Sequence, residues 1–167
     1  MKVPKRLQPL VDYGMVDEIL SQLMSGKEAQ VYVVRCGSAI RCAKVYKESN
    51  QRSFKQAVQY QEGRKVRGSR DKRAMGKASK YGRKEQETAW KNTEVDALYT
   101  LSDAGVNVPR PHGFFHGVLL MELVVDDAGY SAPRLGEVEL SAEQARRFHV
   151  ELMADVVRML CCGLIHG

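Results

Sequence analysis

The stretch Ser25 to Lys47, SGKEAQVYVVRCGSAIRCAKVYK, constrains the chain most, because it reads as a turn followed by two strands. Gln30 to Arg35 and Ala39 to Tyr46 are rich in β-branched and aromatic residues. Cys36-Gly37-Ser38 between them has the composition of a short connection, so a β-hairpin is predicted. Ile19 to Met24 supplies the strand that enters the turn. In the second hairpin strand the period of two sets Ile40, Cys42, Lys44 and Tyr46 on one face, and Ala39, Arg41, Ala43, Val45 and Lys47 on the other. Lys44 therefore projects from mid-strand. An ammonium there either faces water, as edge-strand lysines do, or has to meet an anion. Periodicity alone leaves both readings open.

The turn ahead of the hairpin bears on that choice. Ser25-Gly26-Lys27-Glu28-Ala29 offers small residues, a glycine, a hydroxyl and a cation, the composition of a loop whose N–H groups can approach phosphate. It is not a Walker A loop, which needs an earlier glycine and a Ser or Thr where Glu28 stands. Nor is it a G-x-G-x-x-G loop.

Farther along, Glu85 to Ala104 reads as a helix, with Trp90, Glu94, Val95, Leu98 and Leu101 at three- and four-residue spacing and Gly105 placed to end it. Glu94 falls within the apolar stripe. An acid there either snorkels at the margin or needs a cation, and Lys44 is the candidate upstream. Val106 to Pro111 is extended by its prolines, and Gly113 to Val125 forms two strands around His116-Gly117. His112 and His116 stand four apart in a turn rather than a helix, so loop histidines fit better than a metal pair. Asp126 to Gly136 reads as loop. Ser141-x-x-Gln144 opens a capping box, and the helix after it carries Ala145, Phe148, Leu152, Val156 and Met159 on one face, closing at Cys161-Cys162-Gly163. That long stripe expects a partner surface.

Charge is distributed unevenly. Between Arg64 and Lys84 ten basic residues face the single acid Asp71, a net +9, whereas the whole chain of 167 residues is +6. The basicity is local. Gly68, Gly76 and Gly82 interrupt the run, so a flexible loop at about 49–84 is predicted, either solvated or binding nucleic acid or another polyanion. Tyr60 and Tyr81 stand too far apart to form a stacking platform. With 44% hydrophobic and 28% charged residues a packed core is feasible. The length suits one domain, or one lobe and part of another. No run approaches the roughly 18 apolar residues of a membrane span and no signal peptide opens the chain. Cys36, Cys42, Cys161 and Cys162 lack metal-site spacing. A soluble cytoplasmic protein with free thiols and no membrane partner is the expectation. Met1 to Gly14, basic and interrupted by Pro4 and Pro9, reads as a loosely held terminal arm.

SGKEA-x-VY followed by an A-K-x-Y-K strand resembles the nucleotide-binding hairpin of the RIO family of atypical serine/threonine protein kinases. Three further segments match that family. Trp90, Glu94 and Leu98 fit its W-x-x-x-E-x-x-x-L helix, Ser131 to Leu135 is similar to its P-A-P-x-L element, and Leu164-Ile165-His166-Gly167 resembles the opening of its catalytic loop. With no room for a folded domain before Ser25, the chain is similar to the branch lacking an N-terminal winged-helix domain, or to a bacterial relative.

The resemblance implies an α+β fold. Residues 1–24 would be an arm and first strand, and 25–120 a kinase-like N-terminal lobe of mainly antiparallel sheet plus one packed helix. A hinge at 121–125 and the incomplete start of the C-terminal lobe at 126–167 would follow. It also implies a site for ATP and Mg²⁺. Lys44 would grip the α- and β-phosphates and Glu94 would orient Lys44. Ser25, Gly26 and Lys27 would cover the phosphates. Val31 and Ala43 would line the nucleotide, Met121 would guard the back of the pocket, and Glu122 and Val124 would offer backbone contacts to adenine. The catalytic aspartate and the metal ligands would lie beyond Gly167, so the chain is expected to be part of a longer polypeptide, inactive by itself. Kinase and ATPase share all of these parts, and the family's ribosome-related members add a nucleic-acid- or ribosome-binding module as the alternative.

Overall fold

The computed structural model describes residues 3–47 and 93–165. A short helix α1 (Gln8–Asp12) leads into three strands, β1 (Glu18–Ser25), β2 (Ala29–Cys36) and β3 (Ala39–Tyr46). Helix α2 (93–103) follows, then β4 (Pro111–Phe115), β5 (Val118–Glu122), a 3₁₀ turn at Leu135–Glu137 and the long helix α3 (Ala142–Cys161). The strands form one five-stranded sheet in the order β1-β2-β3-β5-β4, with every neighbouring pair antiparallel. This is the α+β, kinase-like N-lobe arrangement expected from the sequence. The basic run 64–84, Trp90 and the pair His166-Gly167 lie outside the described residues.

The hairpin at the centre follows from its sequence. Pairing of Cys36 with Ala39 leaves Gly37-Ser38 as a two-residue connection, one residue shorter than expected. In the β4–β5 hairpin Phe115 pairs with Val118, and the two residues between them, His116 and Gly117, both have positive φ, 50° and 77°. A type I′ turn needs that combination, because its twist matches that of the flanking strands. Helix α2 ends where Gly105 predicts. Val106 N–H donates to the Leu101 carbonyl and Gly105 N–H to that of Ser102, a Schellman closure with Gly105 at φ 72°. The Ser141/Gln144 capping box that opens α3 is also formed, with Ser141 Oγ accepting from Gln144 N–H at 3.2 Å and Gln144 Oε1 accepting from Ser141 N–H at 2.9 Å.

The sheet is covered on both faces. On one, Tyr46 and Leu119 pack with Val95 of α2, joined by Leu98 and Phe114. On the other, Ala43, Val45, Val34, Val118 and Leu120 pack with Leu7, Leu10 and Val16. Leu7 and Leu10 correct an expectation. The arm is not loosely held, since both are 0% exposed. Sheet residues of odd parity in β3 point away from α2 and would be wet without a cover, so the arm supplies their hydrophobic contacts. Arg6 Nη1 also donates to the Tyr46 carbonyl at 3.2 Å, and the Tyr13 ring stacks on His116 with centroids 5.9 Å apart.

Candidate nucleotide site

Lys44 projects from β3 toward α2, and its Nζ donates to Glu94 Oε1. Their side chains are 27% and 31% exposed, so the pair is sheltered from bulk water yet open to a ligand. Lys44 Nζ also lies 5.2 Å from the centre of the Tyr46 ring, which is fully buried and edge-on to Phe114. Tyr46 stands two residues from Lys44 on the same strand face, so the face of its ring meets the lysine ammonium in a cation–π contact. The second Glu94 oxygen is buried without a partner among the described residues. The ammonium and carboxylate predicted to meet do meet.

Four residues lie in register with this pair on the same face of the sheet: Met24, Val31, Cys42 and Met121. Met24, Val31 and Lys44 form one cross-strand row, Met24 pairing with Val31 and Val31 with Lys44. Two strand spacings therefore separate Met24 from Lys44, about 10 Å. Cys42 pairs with Met121, and both share the Lys44 face. Ala43 does not. It is 0% exposed in the cluster under the arm, on the opposite face of β3. Parity explains the difference, because the residue that shares a face with Lys44 is two positions away, and that residue is Cys42. Burial pushes the Cys42 thiol up. A thiol so placed is an inert wall group.

At the end of β5, Glu122 N–H donates to the Arg110 carbonyl at 2.8 Å, and Glu122 Oε2 accepts from Arg110 N–H at 3.1 Å. The Val124 carbonyl accepts from Ala132 N–H at 2.9 Å, while Val124 N–H makes no hydrogen bond among the described residues. A cleft lies between β1 and the segment after β5, lined by Leu23, Met24, Ala132, Pro133, Arg134 and Glu137. Through Met24 it shares the Lys44 row of the sheet.

Ser25 closes β1, and Gly26 and Lys27 form the turn into β2, with Gly26 N–H donating to the Ala29 carbonyl at 2.9 Å. Lys47, which sequence reasoning passed over, reaches this turn with its Nζ 2.6 Å from the Gly26 carbonyl. Its signal was limited to the second lysine of the A-K-x-Y-K run. No group of three or more His, Cys, Asp or Glu able to hold a metal occurs among the described residues. Likewise none of the described helices is long and apolar enough to cross a membrane.

A family model of the RIO domain matches residues 30–167. The chain belongs to the RIO domain family. Serine/threonine-protein kinase rio1 of Schizosaccharomyces pombe is 29% identical over 165 residues, covering 96% of this chain and 31% of that protein. Serine/threonine-protein kinase RIO1 of Caenorhabditis elegans is 29% identical over 159 residues, with 95% and 30% covered. RIO-type serine/threonine-protein kinase Rio1 of Haloferax volcanii is 33% identical over 162 residues, with 95% and 50% covered. The chain thus spans about a third to a half of the length of these relatives. The RIO domain match takes in Lys44, Glu94 and the end of β5, and begins one residue after the Ser25–Ala29 turn.

Proposed function

We propose that this RIO domain chain serves an ATP-dependent serine/threonine protein kinase, in which the Lys44 face of the sheet holds the nucleotide. The single observation that carries the reading is the Lys44–Glu94 ion pair, half open on a face bordered by apolar side chains. On this reading Lys44 neutralises charge on the α- and β-phosphates and Glu94 keeps the ammonium aimed there. Val31 and Met121, with Cys42 in the place expected of Ala43, press on the flat base. The Val124 N–H and the Glu122 carbonyl read its hydrogen-bonding edge. Ser25, Gly26 and Lys27 close over the phosphates, and the cleft beside Met24 and Pro133 leads outward from the base.

Transfer of a γ-phosphoryl group is dominated by positioning and by neutralising charge, both within reach of a fixed lysine and backbone donors. Mg²⁺ accompanies ATP in this proposal as its phosphate counterion. Among the described residues no group of three or more His, Cys, Asp or Glu stands together to ligate it. The test is γ-phosphate transfer from ATP to protein serine or threonine by the full-length gene product. Transfer by the wild type and its loss in Lys44→Met supports the reading, and a wild type that transfers nothing overturns it.

A second reading rests on the +9 segment at 64–84. Here the nucleotide fold is an ATPase or switch, and the basic run binds a nucleic acid backbone or the ribosome. Neutralising Arg70, Lys72 and Arg73 should abolish salt-sensitive retention of RNA and spare ATP turnover, whereas Lys44→Met should do the reverse. RNA retention unaffected by the triple substitution removes this reading.

A further inference from the structure

Lys47, the residue following β3, holds the β1–β2 turn at two points. Its backbone N–H donates to the Glu28 carbonyl at 2.8 Å, and its Nζ donates to the Gly26 carbonyl at 2.6 Å. Between those anchors lies Lys27. The described peptide bonds are all trans, so the Gly26 carbonyl and the Lys27 N–H, which share one peptide plane, point in opposite directions. Committing that carbonyl to Lys47 turns the Lys27 N–H away from Lys47. The alternation of β3 carries Lys44 to one face and Lys47 to the other. The Lys27 N–H is consequently left on the side of the turn away from the Lys47 ammonium, outside the anchor that Lys47 makes.

We propose that Lys47 is a positioning residue for phosphate, aligning the Lys27 N–H of the turn with a phosphoryl oxygen of the nucleotide that Lys44 grips. The proposal rests on the nucleotide reading of the Lys44 face. Lys47 does not itself touch the ligand. Without it the Gly26–Lys27 peptide plane is free to rotate, and a backbone donor preset for an anion becomes one that must be ordered on binding. The charge on Lys47 strengthens the anchor relative to a neutral donor.

ATP and adenosine binding to the full-length gene product, measured calorimetrically in wild type, Lys47→Met, Lys47→Gln and Lys47→Arg, tests it. Wild type should bind ATP more tightly than adenosine; if it binds neither, the nucleotide reading itself fails. Given that binding, Lys47→Met should lose roughly tenfold in ATP affinity, the scale of one charge-assisted hydrogen bond, with adenosine binding unchanged. Lys47→Gln, which keeps a neutral donor, should fall between, and Lys47→Arg should recover most of the loss. ATP binding at wild-type strength in both Lys47→Met and Lys47→Gln overturns the inference, as does an equal loss of ATP and adenosine. Should Lys47→Met not fold, the ATP-to-adenosine ratio in Lys47→Gln decides alone.

Discussion

Lys44 and Glu94, fifty residues apart in the chain, form an ion pair that ties the middle strand of the sheet to helix α2. Neither residue is satisfied by its own element. Lys44 stands on a strand among Cys42 and Tyr46, and Glu94 sits one residue from Val95 on the buried side of its helix. Each supplies the counter-charge that makes the other's partial burial tolerable.

If Glu94 works only through Lys44, the two substitutions should not multiply. Lys44→Met is expected to lower phosphoryl transfer by roughly 100-fold or more, the scale seen when one preorganised charge stabiliser is removed. Glu94→Gln retains an acceptor without the charge and should lose roughly tenfold. The double variant should match Lys44→Met alone. Steady-state rates for the four proteins give the cycle, and a double variant slower by the product of the two losses would show that Glu94 acts independently.

The arm should contribute to global stability. Leu10 is fully buried in the cluster that holds Val34, Ala43 and Val45, separate among the described residues from the cluster that Val95 of α2 joins. Leu10→Ala should lower unfolding free energy by about 2–5 kcal/mol, the usual cost of such a cavity. Deleting residues 1–12 should destabilise at least as much. Chemical denaturation measures both, and a change under about 0.5 kcal/mol for Leu10→Ala would mean that the arm is an ornament on the sheet.

What could be read from the sequence follows from how local each signal is. Alternation in β2 and β3, the glycine after α2 and the Ser141/Gln144 box depend on neighbours within a turn or a strand, and all were legible. The meeting of Lys44 and Glu94 was legible for a different reason, as each carries a charge its element cannot satisfy. The arm was not legible. Leu7 and Leu10 lie among Lys5, Arg6, Pro4 and Pro9, and the helix they build is five residues long, too short for a periodic stripe. Its burial depends on the far face of a sheet formed later in the chain. Ala43 was assigned to the nucleotide by the family resemblance although the period of two had already set it on the face opposite Lys44, where the structure also has it. Lys47 acts through a carbonyl, and carbonyls leave no mark on a pattern of side chains.

Acid should weaken the fold through His112. Burial, then the charges of Arg41 and Arg110, hold its pKa below the ordinary 6.5, with Glu122 opposing them. The folded chain thus resists a proton that the unfolded chain accepts at 6.5. Stability from this residue is complete above about pH 6.5 and is lost as pH falls from there toward the lower folded value. His112→Gln should flatten that part of the stability–pH curve, as read by denaturant midpoints between pH 7.5 and 5. An unchanged slope would mean that His112 titrates alike in both states.

The last relationship fastens α3 to the sheet-bearing part of the chain. Asn107, in the loop after α2, donates Nδ2–H to Asp155 Oδ2 at 2.8 Å, and Arg158 donates to the other oxygen at 2.8 Å. The Asn107 bond is the leading cause holding the Asp155 carboxyl below its ordinary 3.8, with Arg158 adding to it and burial working against both. Asn107→Ala should therefore raise the Asp155 pKa without restoring it fully, because Arg158 remains. A carboxyl-detected NMR titration of wild type and variant reads this directly. The sign for stability follows: the contribution is present above 3.8 and fades as pH drops below it toward the folded value. Leu152 and Val156 on α3 are exposed among the described residues, so this polar contact should bear much of the docking. Amide exchange along α3 should accordingly rise in Asn107→Ala while β2 and β3 keep their protection, and unchanged exchange in α3 would assign its docking to other contacts.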